Sequence, residues 1–237
     1  MKTAFKELRR NGLENRTYLT VIYLLFIAFM GHQFFTDFEG DGLYALEEYK
    51  KVAGEMGSFF LVSTLFIAYE YNSLTAVRYK SRRTILQYHL LKILLPAVLI
   101  SITSVFLFMV AGYGQGFFYG HYASAAIFGL MLAVQSVLSL SAIGLVSCLF
   151  NVWARNEFLG TIFALLFFTF NSYRTSILTR IVGLFTYNYH QVYLSKFLLL
   201  PGGAMAYGVM KSGGLLLAMG LFVFLVNLRV KKLEFFD

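Results

Sequence analysis

The sequence predicts an all-α polytopic membrane protein with six transmembrane helices, an amino-terminal interfacial helix and a re-entrant helical hairpin before the last span. Three observations lead there. Of 237 residues, 58% are hydrophobic and only 14% are charged, a balance unlike that of a water-soluble domain. Apolar runs of bilayer length recur along the chain, since about 20 residues of helix cross the hydrocarbon layer. Lys and Arg cluster in alternate connections, as the positive-inside bias requires of a multi-pass protein. The chain 1–237 reads as a single transmembrane domain.

Residues 1–16, MKTAFKELRRNGLENR, predict a helix lying in the interface plane. Phe5, Leu8 and Leu13 fall roughly on one face, with Lys2, Lys6, Arg9, Arg10 and Arg16 around them. The basic region is too long for a signal peptide and no small-residue cleavage pattern follows Phe35, so the segment is read as retained. Six spans follow. They run from Tyr18 to Phe35, Gly54 to Ala76, Ile93 to Gly112 with Pro96 in the opening turn, Ala123 to Phe150, Phe158 to Asn171, and Gly213 to Leu228. The fourth is long enough to imply tilt or a break, and the fifth is barely long enough to cross. In the fourth span Gly129, Ala133, Ser136, Ser139, Ser141, Ala142 and Gly144 suit close helix contacts, within the chain or between chains.

Residues 172–210 are long, aromatic and apolar, with Pro201, Gly202 and Gly203 between two hydrophobic stretches. They predict two half-helices dipping into the outer leaflet. Such a hairpin must pack on protein, because non-helical backbone at membrane depth needs protein or water to satisfy its polar groups. A hairpin lying at the interface is the alternative. Basic residues in the amino-terminal segment, the Arg78 to Arg83 loop, the Arg155 loop and the Arg229 to Lys232 tail place both termini in the cytoplasm. The first outer loop, TDFEGDGLYALEEYKK, holds five of the twelve acidic residues, the densest acidic stretch of the chain. It reads either as a solvated loop or as a surface that gathers cationic molecules.

Several functions are excluded or weakened. The net charge of +8 sits beside apolar spans, where topology and anionic headgroups account for it without nucleic acid. A lone Cys148 allows neither an intrachain disulfide nor a thiolate metal cluster. His32, His89, His121 and His190 are scattered and form no metal-binding spacing. Glu47-Glu48 resembles the paired acids of prenyl-protein peptidases, but Val52 stands where those have a basic residue, and there is no G-x-S-x-G turn. No catalytic residue and no metal site is therefore assigned, and an intramembrane enzyme is the least supported class.

The most informative stretch is Val52 to Lys92, an apolar span that closes on a lone Glu70 and runs into a dense basic turn. A charge inside the bilayer costs about 2.5 to 3.5 kcal/mol, so Glu70 is expected near an interface, paired with Arg9, Arg10 or Arg78 or snorkelling to water. The stretch Glu70-Tyr-Asn-Ser73-Leu-Thr75, then Tyr79-Lys-Ser81-Arg82-Arg83, then Lys92 resembles ABC transporter permeases of the type-two exporter family, the six-helix transmembrane subunits of drug, antimicrobial-peptide and polysaccharide export. It departs from them in having Ser73 where Gly is common and no Pro in the turn.

The resemblance implies that residues 77–90 couple to a separate ABC ATPase, with Arg78, Lys80, Arg82, Arg83, Ile85, Leu86 and Lys92 as coupling residues and Glu70 as the acid that stiffens the lever. An amphipathic stretch from Lys80 to Leu90 would enter a partner's groove as an apolar wedge with a charged rim. The chain has no G-x-x-x-x-G-K-[ST] sequence, so ATP and Mg would be bound by the partner subunit, and this chain would carry no cofactor of its own. A second permease copy or a sister permease is also implied, in a bacterial cytoplasmic membrane. Tyr23, Phe66, Tyr69, Phe163, Phe167 and Phe170 are candidate linings for an apolar or amphipathic cargo, a peptide or drug. The alternative from another class is a membrane immunity or sensor protein that binds a peptide without moving it.

Overall fold

A computed structural model describes residues 2–36, 56–67, 81–116, 122–171 and 201–231. The described residues form seven helices joined by short turns or by residues outside the described ones: α1 (Lys2–Glu14), α2 (Arg16–Thr36), α3 (Met56–Leu65), α4 (Arg82–Gly114), α5 (Tyr122–Ala154), α6 (Glu157–Asn171) and α7 (Pro201–Lys231). Four of them are long and apolar enough to cross a membrane: α2, α4, α5 over Leu132–Ala154 and α7 over Gly213–Lys231. The chain is thus a helical membrane protein. The second sequence-derived span is described only over residues 56–67, and residues 172–200 of the expected hairpin lie outside the described residues.

Two boundaries differ from the sequence reading. Residues 82–92 are not a separate coupling helix but the first three turns of α4, which starts where Ser81 caps it. The Ser81 hydroxyl accepts from the Thr84 amide at 3.2 Å, satisfying one of the orphan donors of the first turn. Pro96 consequently lies inside α4 rather than in its opening turn, and the carbonyl four residues back, that of Lys92, loses its helical donor. At the other end, residues 201–210 run without a break into the last span. Pro201 begins that helix, a position where its missing N–H costs nothing, so the last helix starts at Pro-Gly-Gly and not at Gly213.

α5 is the axis of the bundle, packed against α4, α6 and α7, while α1 and α2 pack on α4. Lipid tails are as apolar as Leu, so helices in a bilayer associate through close packing rather than exclusion from water. The small residues of α5 do this work inside the chain. Ser136, Ser139, Ser141 and Ala142 are buried, and a Cβ on Gly144 would stand 2.6 Å from Ile93 Cγ2 and 2.9 Å from Phe60 Cζ. Aromatic contacts fasten the other layer: Phe26 meets Phe59 edge-on at 5.5 Å, and Phe34 meets Phe108 in the same way at 5.5 Å.

The α5–α6 turn is a tight helical hairpin. Arg155 adopts φ 52°, the left-handed conformation that follows a helix C-terminus, and the Asn156 amide donates to the Asn151 carbonyl at 3.1 Å, closing the end of α5. Asn156 then caps α6, its Oδ1 accepting from the amides of Phe158 and Leu159 at 2.9 and 3.2 Å. Glu157 opens α6, where a negative charge complements the helix dipole.

Candidate functional site

Two polar assemblies fasten the first three turns of α4, one built on Tyr88 and the other on Lys92. Tyr88, His89 and Lys92 are all buried. Tyr88 reaches outward from the bundle axis to α1 and to the end of the α3 segment. Its hydroxyl accepts from Asn11 Nδ2 at 2.8 Å and donates to the Ile67 carbonyl at 2.8 Å, so one phenol joins three elements. Ile67 is the last described residue before the connection that carries Glu70 and the basic turn.

Lys92 reaches the other way. Its Nζ donates to Glu157 Oε2. The same carboxylate oxygen accepts from Asn151 Nδ2 at 2.7 Å, and Glu157 Oε1 lies 3.7 Å from His89 Nδ1, beyond hydrogen-bond reach. The Lys92 and Glu157 side chains are only 4% and 6% exposed. A buried charge survives only with a partner and hydrogen bonds, and here the ammonium and the carboxamide supply both to a single carboxylate oxygen. Gly160, one turn into α6, makes the approach possible: a Cβ there would stand 1.8 Å from Asn151 Oδ1 and 2.5 Å from the Asn151 backbone nitrogen. The Lys92–Glu157 pair is therefore a clasp between α4 and the α5–α6 turn. It lies ten residues inward from Arg82, ~15 Å along the helix.

The sequence-derived site residues fall into three groups. Arg82 is half-buried and Arg83 exposed at the start of α4. Ile85 is fully buried in the chain's own core and is not free to enter a partner's groove, while Leu86 is half-buried and packs against that core. The reason is the helix boundary: once 82–92 belong to α4, their apolar face is taken by α1, α3 and α5. Lys92 is likewise committed to Glu157 inside the bundle and is not available to a partner. Glu70, Arg78, Lys80 and Tyr69 lie outside the described residues, and so do the side chains of Phe167 and Phe170. Arg10, offered as a partner for Glu70, is held by Glu7 at 2.6 Å and by Glu14 at 3.5 Å.

Of the candidate cargo path, the side chains of Tyr23, Phe66 and Phe163 are described, and each has a different neighbour. Tyr23 bonds to Thr103 Oγ1 on α4, and Phe66 stacks on Tyr18 with ring centroids 5.3 Å apart. Phe163 is 56% exposed on α6 and stacks on Phe150, on a different part of the bundle from Tyr23. Among the described residues no group of three or more His, Cys, Asp or Glu comes together.

No protein-family model, curated protein or solved structure matches the chain.

Sequence reasoning missed Glu157, Asn151 and His89 as one assembly. The signal was present in two places. Lys92 is a lone cation in an otherwise apolar run and needs an internal anion, and Glu157 is the acid nearest the end of the adjacent span. Reading Lys92 as the head of a helix that began at Ile93 moved it to the interface and removed the need for a partner.

Proposed function

We propose that this chain is the membrane-embedded permease subunit of an ATP-driven exporter, moving an amphipathic or hydrophobic substrate, a peptide or drug, out of the cell or the membrane. One observation carries the reading: the first three turns of α4, which directly follow the basic turn, are tied to α1 and Ile67 through Tyr88 and to the α5–α6 turn through Lys92. A push received at the basic connection would reach four elements of the bundle at once instead of being absorbed by a loose loop. In this reading six spans cross a bacterial cytoplasmic membrane with both termini inside. A separate ABC ATPase binds ATP and Mg and docks on the basic turn around Arg78 to Arg83, and a second permease completes the pathway. Ile85 and Lys92, both buried, transmit motion from within the bundle.

The test begins with purification of the chain in nanodiscs and mass spectrometry of its stoichiometric companions. A Walker-motif ATPase that copurifies, and that loses substrate-stimulated hydrolysis with R82E/R83E while the helical content is retained, is the expected result. Intact stimulation in that variant sinks the coupling assignment. A companion that binds peptide without any ATPase moves the protein to the immunity or sensor class.

A further inference from the structure

α1, α2, α3 and α4 line a half-open cleft of ≈ 470 Å³, within the size range of small-molecule sites. Its walls are almost wholly apolar: Phe5 and Leu8 of α1, Phe26 of α2, Phe59 of α3, and Leu95 and Pro96 of α4. α1 contributes Phe5, Leu8, Arg9 and Gly12, at the i, i+3, i+4 and i+7 spacing of one helix face. Arg9 is the one charged side chain among the described residues of the wall, and it is exposed. The neighbouring acids do not neutralise it, since Glu7 and Glu14 are both engaged by Arg10. Gly12 faces open space, with nothing within 4 Å of where its Cβ would be.

From this arrangement we infer that the cleft is a binding site for one acyl chain of an anionic phospholipid, with the headgroup phosphate on Arg9. Charge selects the occupant. An apolar slot alone would take any lipid tail, whereas a cation at its rim on an amphipathic helix favours a negatively charged headgroup. Tyr23 also lines the slot, and its hydroxyl is bonded to Thr103, so its ring presents an apolar side to the tail. The site stands apart from the export reading and needs no ATPase.

The experiment uses the full chain in nanodiscs doped with phosphatidylglycerol or phosphatidylcholine carrying the same photoreactive acyl chain, with crosslinked peptides mapped by mass spectrometry. Peptides containing Phe26 and Phe59 should label about fivefold more strongly with phosphatidylglycerol, the factor that one basic side chain near the membrane surface supplies. R9A should bring the two lipids level. G12L, which puts a side chain into the slot at a position with free space, should lower labelling by both lipids. Equal labelling of the slot by both lipids in the unaltered chain, a preference that R9A leaves intact, or labelling no stronger than at outward-facing Leu217 and Leu221 would each overturn the site. Thermal unfolding of each variant in the same nanodiscs reports whether the fold is retained.

Discussion

The two inner long helices and the two outer ones are alike in apolar character and unlike in surroundings. In their most apolar stretches 44% of α4 and 59% of α5 is buried, against 17% of α2 and 17% of α7. The buried Ser101, Ser104, Ser136, Ser139, Ser141 and Ser147 all lie on the inner pair, as do His89, Lys92 and Asn151, whereas no described polar residue of α2 or α7 is buried. In a bilayer the apolar residues do not distinguish inside from outside, because Leu is equally at home facing lipid or protein. Small and polar residues do. They mark the faces where helices come close enough to hydrogen-bond, and α2 and α7 present Leu24, Leu25, Leu217 and Leu221 outward instead.

The sharpest way to break the contrast is to remove the charge from one side of the clasp. K92M leaves the Glu157 carboxylate buried against a methionine, and breaking a buried pair in this way costs about 3–5 kcal/mol. K92M/E157Q, with no charge left to bury, should recover most of that loss. Unfolding in detergent with increasing denaturant, run on the unaltered chain and both variants, checks this. A single variant as stable as the unaltered chain would show that the pair contributes nothing. Gly160 is the second point of attack. G160A forces a methyl into the Asn151 carboxamide and backbone, and overpacking of this kind costs typically ~1–3 kcal/mol. The same unfolding assay reads it, and K92M/G160A should lose less than the sum, because both changes disrupt the same clasp.

Y88F comes third. It removes one accepted and one donated hydrogen bond, each worth about 0.5–1.5 kcal/mol, and frees α1 from the base of α4. Hydrogen exchange should rise along α1 while the α5–α6 turn is unchanged, which separates the two assemblies on α4.

The elements of this fold were legible to different degrees, for identifiable reasons. That the chain is helical and membrane-embedded follows from the length of its apolar runs, and the starts and ends of α2 and α5 lie within a few residues of where those runs change. The start of α4 was misplaced by eleven residues, Arg82 against Ile93. Hydropathy registers where lipid begins, and this helix extends beyond that point with Arg, Gln, Tyr and His in its first turns. The last helix likewise begins at Pro201 and not at Gly213, because proline punctuates a helix at its start as readily as it interrupts one. The clasp was hidden for another reason. Lys92 and Glu157 are 65 residues apart, and only the packing of α4 on the α5–α6 turn brings them together.

The smallest effect tests the comparison most directly, because it uses one residue type in two similar stretches. Gly144 lies in Ile143-Gly-Leu145 on α5 and Gly220 in Met219-Gly-Leu221 on α7, and nothing in these neighbours tells the two glycines apart. Their surroundings do: a Cβ at Gly144 would strike Ile93 and Phe60, and one at Gly220 would meet nothing within 4 Å. G220A should therefore leave stability unchanged or raise it by about 0.5–1 kcal/mol, since alanine loses less chain entropy than glycine when a helix forms. G144A should lower it. If both substitutions lower stability alike, α7 is packed against protein on the face that bears Gly220, and the division into inner and outer helices fails there. If they move in opposite directions, glycine on α5 is a contact residue and glycine on α7 is only a flexible one.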